Sequence, residues 1–401
     1  MNKRTDELKK LRIDVETEYL NFEFIELLAK LVTHDLVTWA NKNIYHGLGG
    51  ELSLEFPLGA PNALALVTGD VNTPYKHVIK ITTSMLLEIY RDAFVFPLIS
   101  KRIALETQTI SDLNDNFIVP FDERYMFSTG VPILPSESTN GVLRDCFINY
   151  LKINKTNLNQ DKRMSENDVA CRFVMFELVL TWVFFHELGH LVQRHHMLKF
   201  KYGSTLELKI EENNNSGEPD ISGQAREILA DIEGLDLTLK YMKRKKIFNP
   251  QSLYLLMSGI NCMYQRFYQN YDTNLDIHQG THPHPVIRNE FSEHYILQWM
   301  IHFLERVPSE AALPLSYLSI RSSIMCGQFW AIRVERFDGG SLPTYMDLQS
   351  QNHKHQRDLY MNVIRNAVLE IITNVKHTHI MPSNSISLLE KILTEQLTRN
   401  S

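Results

Sequence analysis

A chain of 401 residues is long enough for two or three domains, or for one large domain with insertions, and 44% hydrophobic content suits a sizeable globular core. A formal net charge of −6 argues against a dedicated nucleic-acid binder. The four cysteines, Cys146, Cys171, Cys262 and Cys326, lie far apart and form no CxxC pair, which argues against a cysteine zinc site and a disulfide framework and points to thiols in a reducing compartment.

The opening residues MNKRTDELKK carry charge and no apolar run, so no signal peptide is expected. Residues 5–45 have a helical pattern, with Leu20, Phe22, Phe24, Ile25, Leu27, Leu28, Leu31 and Val32 crowding one broad face and Gly47, Gly49 and Gly50 punctuating the end. Glu51 to Phe56 alternates and predicts a strand. Residues 57–74 contain Pro and Gly and have loop character. His77 to Met85 is rich in β-branched residues and predicts a second strand flowing into a helix over 86–94. Residues 106–142 are rich in Pro, Gly, Ser, Thr, Asn and Asp, and form either a substrate-shaping lid or a plain surface loop.

A long helical run is predicted from Ser165, an N-cap candidate with Asp168 three residues on, to about Leu198. Its most apolar part, Phe173 to Phe185, is short for a membrane span and contains Glu177, which favours a buried core helix. A polar connector over 211–219 leads to a second helix over 224–246. Its basic end, Lys243 to Lys246, admits a nucleic-acid or anionic-lipid reading, but a solvated helix C-terminus accounts for it more simply. Further helices are predicted over 253–270, 288–305, 313–335, 355–376 and 385–398. The fold class expected is α+β, mostly helical, with a small sheet beside the long helix.

That helix contains His186-Glu187-Leu188-Gly189-His190. Residues four apart share a helix face, so His186 and His190 can present two imidazoles to one metal ion. Glu187 lies about 100° further round, near enough to touch a metal-bound water as general base. A catalytic zinc takes three protein ligands and keeps one position open. Glu227 is the candidate third ligand. Asp231, four residues on, can accept the second N–H of a ligand imidazole. Ala230 and Gly234 are small enough for this helix to pack closely on the first. His195 and His196 read as packing or surface residues.

The stretches HELGHLVQRH (His186 to His195), EILAD (Glu227 to Asp231) and THPHPVIR (Thr281 to Arg288) together resemble the gluzincin metallopeptidases of the CAAX-protease and HtpX type. The likeness covers roughly residues 70–295. A weaker likeness, resting on the HExxH helix, is to the Lit phage-exclusion peptidase. The resemblance implies one zinc ion per chain, held by His186, His190 and Glu227, with Glu187 as general base and His282 or Arg288 stabilising the oxyanion. On the residues alone, Arg288 is equally an ion-pair partner for Asp231, and His284 equally a surface residue. The domains then expected are an N-terminal helical segment (1–60), a metallopeptidase core (61–300) with an insertion near 100–165, and a C-terminal helical region (301–401) that can pack on the same body. The function expected is a cytoplasmic endopeptidase acting on a protein or peptide, with no membrane span and no nucleic-acid partner. The alternatives are a catalytically silent binding or sensing protein on the same scaffold, and a toxin or defence peptidase with one host target. If the strand over 77–85 is a sheet edge, an extended peptide could add to it.

Overall fold

In the computed structural model, which describes residues 22–93, 96, 166–198, 220–248, 250–268, 275, 280–303, 347–381 and 385–400, the first helix is α1 (Phe22–Ala40). Its inner face is Ile25, Leu28, Ala29, Val32 and Leu36. The helix widens into a π turn at Asn41–Tyr45 and a 3-10 turn at His46–Leu48. Gly49 ends it at φ 66°, a left-handed conformation that costs glycine nothing. The Asn41 carboxamide then pairs with both backbone groups of Leu52, at 2.8 and 2.9 Å, and so ties the helix end to the first strand.

Three strands are described: β1 (Glu51–Glu55), β2 (Ala63–Val67) and β3 (Lys76–Ile81). Their order is β1-β3-β2, with β1 parallel and β2 antiparallel to β3. β2 lies inside the segment read from sequence as loop; it alternates, with Ala63 and Ala65 inward, but lacks the β-branched run that marks a strand. β3 is shorter than expected. The Thr82 hydroxyl accepts from Met85 N at 3.2 Å and caps a helix, α2 (83–93), which takes Thr83 to Met85 out of the strand. β3 is also the central strand, paired on both sides, so the expectation that it is a sheet edge open to an added peptide is overturned.

The long motif helix is α3 (Glu166–Val192). It stops short of Leu198: Gln193 and Arg194 form a turn, with Arg194 at φ 54°, before a one-turn helix at His195–Leu198. Two groups from the far end of the chain satisfy the carbonyls exposed there. Ile380 N donates to Val192 O at 2.9 Å, and Thr378 Oγ1 donates to Gln193 O at 3.2 Å. Next come α4 (Ile221–Arg244), N-capped by Asp220, which accepts from Gly223 N at 2.7 Å, and α5 (Pro250–Tyr268). α6 (Pro285–Phe303) begins at a proline, favoured in the first helical position, and His284 Nδ1 accepts from Val286 N at 3.2 Å. α7 (Lys354–Thr378) and α8 (Ser385–Asn400) complete the described helices.

The molecule is thus mostly helical with a small mixed sheet, as expected. α3 sits at its centre, packed by α1, α4, α5 and the sheet, while α6, α7 and α8 cover other faces of α4. By length and composition Arg172–Val192 could cross a membrane, but it is wholly buried here as the core helix. One hydrophobic cluster runs from Ile25 to Leu393, and β1 pairs with β3 across the border expected at residue 60. The N-terminal, core and C-terminal regions therefore share one core. At the basic end of α4, Arg244 stacks over Trp39 and Tyr241, and Lys245 pairs with Asp35 at 3.1 Å. The expected Ser165 cap, the insertion over 100–165, the connector over 211–219 and the helix over 313–335 lie outside the described residues.

Candidate metal centre

α3 and α4 bring the site together because small residues let their backbones touch. A Cβ on Gly189 would lie 3.2 Å from Ala230 O, and one on Gly234 would lie 2.8 Å from His186 N. This close approach puts Glu227 opposite the two histidines. His186 Nε2 and His190 Nε2 are 3.2 Å apart. Glu227 Oε1 lies 3.3 Å from His190 Nε2, and Glu227 Oε2 lies 3.6 Å from His186 Nε2. Ligands about 2.0–2.1 Å from a tetrahedral zinc stand about 3.3–3.4 Å from one another. The three side chains are buried, and together they can hold a metal ion.

No family profile, curated protein or solved structure matches this chain. The chemistry of the site has to be read from its own atoms.

Charge is one part of that reading. Glu187, Glu227 and Asp231 bring three buried carboxylates, and Arg288 brings one buried guanidinium, a surplus of two negative charges that matches a divalent cation. The nearby Arg226 has its own counter-ion in Asp220 at 3.5 Å. Burial pushes the Glu227 carboxyl up, but His282, His190 and His186 outweigh it and hold the group well below the usual carboxylate range. Burial pulls His186 down, yet hydrogen bonds to Asp231 and Glu227, with the charges of Asp231 and Glu187, raise it to about 10. His190, with burial dominant, is held down to about 3.

Asp231 lies against the imidazole of His186. Its Oδ1 lies 2.9 Å from His186 Nδ1, which aims the Nε2 lone pair of that ring at the cluster. Arg288 grips the same carboxylate with two hydrogen bonds, at 2.8 and 2.7 Å, and lies over the Tyr264 ring at 5.2 Å. Its Nε and Nη2 are held on Asp231, with Nη2 also 3.8 Å from Glu227 Oε2, which favours the ion-pair role over the oxyanion role that the family resemblance implied. His282 does front the cluster: its Nε2 lies 3.4 Å from Glu227 Oε2, and its Nδ1 lies 3.0 Å from Thr281 Oγ1. His284 is buried and caps α6, so it is not a surface residue.

The Thr281–Pro285 segment is itself held in place. Gln224 Nε2 donates to Gly280 O at 3.2 Å, and Asp220 N donates to the same carbonyl at 3.2 Å. Tyr360 Oη of α7 donates to Gln224 Oε1 at 2.8 Å and accepts from His284 N at 3.2 Å.

His195, expected to be a packing or surface residue, packs on a proposed ligand, a contact the sequence does not reveal. It is 3% exposed, and its Nδ1 lies 2.8 Å from His190 Nδ1. On an unbroken helix, residues five apart point about 140° away from each other. Only the turn at Gln193–Arg194 folds His195 back onto the ligand, and no glycine or proline announces that turn.

Proposed function

We propose that this chain is a zinc-dependent endopeptidase of the gluzincin kind, cleaving an intracellular protein or peptide. The observation that carries the proposal is the buried convergence of His186 Nε2, His190 Nε2 and the Glu227 carboxylate, with the buried Glu187 next to His186 in sequence. Two neutral nitrogens and one carboxylate make a donor set that zinc favours in hydrolases. When bound, zinc lowers the pKa of a coordinated water and polarises the scissile carbonyl. Glu187 takes the proton of the attacking water on a carboxylate oxygen and returns it to the leaving amine. Asp231, braced by Arg288, keeps His186 aimed at the centre. His282, anchored by Thr281, is the side chain placed to donate to the developing oxyanion. Complete burial of the apolar α3 in the core supports a chain that does not span a membrane through that helix.

The test is zinc content by mass spectrometry together with cleavage of a peptide library. One zinc per chain is expected in the wild type, and none in Glu227→Ala. Glu187→Gln should keep the zinc and lose cleavage by about 10²- to 10⁴-fold. Undiminished cleavage by Glu187→Gln would sink the mechanism.

A further inference from the structure

Among the described residues, a continuous run of buried polar groups leads from Glu233 to His190. Glu233 is 0% exposed. Its Oε2 accepts from Ser385 Oγ at 2.6 Å and from Gln193 Nε2 at 3.3 Å, and lies 3.3 Å from His379 Nε2. Gln193 Nε2 also donates to Leu229 O at 3.0 Å. Both neighbours of that amide nitrogen are acceptors, so the Gln193 side chain has only one sensible orientation. Its Oε1 then faces His195 Nε2 at 2.7 Å.

The direction of each hydrogen bond follows. A carboxamide oxygen only accepts, so the proton of His195 sits on Nε2. A neutral imidazole has a single N–H, which leaves His195 Nδ1 as an acceptor. A second proton there would make a buried imidazolium with no carboxylate against it, a costly state. His195 Nδ1 therefore accepts from His190 Nδ1 across 2.8 Å. His190 is then protonated on Nδ1, and its Nε2 lone pair faces His186 and Glu227.

We infer that Glu233, Gln193 and His195 are positioning residues that fix the tautomer of ligand His190 through one continuous, directed chain of hydrogen bonds. The inference rests on the reading of His186, His190 and Glu227 as metal ligands. It makes the two histidines comparable: each has its Nδ1 side anchored, His186 directly by Asp231 and His190 at a distance by Glu233. It also gives the C-terminal helices a part in the site. Ser385 and His379 bind the carboxylate that starts the chain, and Thr378 and Ile380 hold the turn that brings His195 round.

The test uses the full-length protein and measures zinc affinity by competition with a chromophoric chelator, with the visible spectrum of the cobalt-loaded form as a second readout. His195→Leu and Glu233→Gln should each weaken zinc binding by about 10- to 100-fold and alter the cobalt bands. Glu233→Gln changes no proposed ligand, and acts because its amide can donate and lets Gln193 turn over. His195→Gln should stay close to wild type, since its amide can accept from His190 and donate to Gln193. Wild-type affinity in both His195→Leu and Glu233→Gln would overturn the chain and leave the metal centre standing. Equal losses in His195→Leu and His195→Gln would overturn it too, because packing would then explain the effect. A wild-type protein that takes up no zinc would overturn both readings. If Glu233→Gln does not fold, the two His195 variants decide the matter between them.

Discussion

Gly234 of α4 lies so close to His186 of α3 that a Cβ on it would stand 2.8 Å from the His186 backbone nitrogen. Backbone cannot move aside as a side-chain tip can, so Gly234→Ala must push the two helices apart. Overpacking of this kind costs about 1–3 kcal/mol. The expected result is a lower unfolding midpoint and a fall in zinc retained after dialysis, because Glu227 moves away with α4. Unchanged zinc retention would mean that the site does not depend on this contact.

The Asp231–Arg288 pair is buried, and losing either partner strands the other charge. Asp231→Asn and Arg288→Met should each destabilise the protein by about 3–5 kcal/mol. The double variant should be less damaged than the sum of the two, as measured by denaturant unfolding of all four proteins. Additive losses would show that the two hydrogen bonds at 2.8 and 2.7 Å carry little coupling.

Tyr360 should affect turnover more than metal binding. Tyr360→Phe removes the hydroxyl that links Gln224 to the His284 amide, at 2.8 and 3.2 Å, and frees the segment bearing His282. A stability cost of about 1 kcal/mol is expected. Zinc content should hold while kcat/KM for a cleaved peptide drops. Parallel loss of zinc would place Tyr360 in metal retention instead.

Acid should weaken the fold through His77 and His196. Burial first, then the charges of His196 and Arg194, hold His77 down to about 4; burial and Arg194 do the same for His196. Both values lie below the ordinary 6.5, so the unfolded chain takes up these protons first as pH falls. Their stability is complete above about pH 6.5 and is lost as pH drops towards about 4. For His77 that amounts to about 3 kcal/mol. His77→Asn, which retains an acceptor for the Tyr45 hydroxyl now 2.9 Å from Nδ1, should flatten the pH dependence of the unfolding midpoint. An equally steep dependence in the variant would rule out His77 as its source.

Metal removal should loosen the whole molecule, since the buried carboxylates of Glu187, Glu227 and Asp231 would then lose a divalent counter-charge. Free zinc at about 1,000 times its dissociation constant stabilises by about 4 kcal/mol. A chelator should therefore lower the melting temperature, and added zinc should restore it in the wild type but not in Glu227→Ala.

The spacing of His186 and His190, and of Glu227 and Asp231, was legible because each pair lies within one helix, where a fixed rotation per residue decides who shares a face. The close approach of the two helices was legible from Ala230 and Gly234, because small side chains leave only one kind of contact. Other features depend on what meets what across the fold. That β3 is central depends on β2, whose Ala63 and Ala65 give only a faint strand signal. Arg288 reads from sequence equally as an ion-pair partner and as an oxyanion donor, and only the folded distance to Asp231 favours the first. His195 was hidden most deeply, because its position follows from a turn held by Thr378 and Ile380, which stand far away in sequence.

The bond from Ile380 N to Val192 O joins a residue near the end of the chain to the end of the motif helix. A ribosome delivers Val192 long before Ile380, and Ser385 later still. A nascent chain can therefore own every proposed ligand and still lack the turn that steadies His190. The proposed centre is thus steadied by residues synthesised long after its ligands.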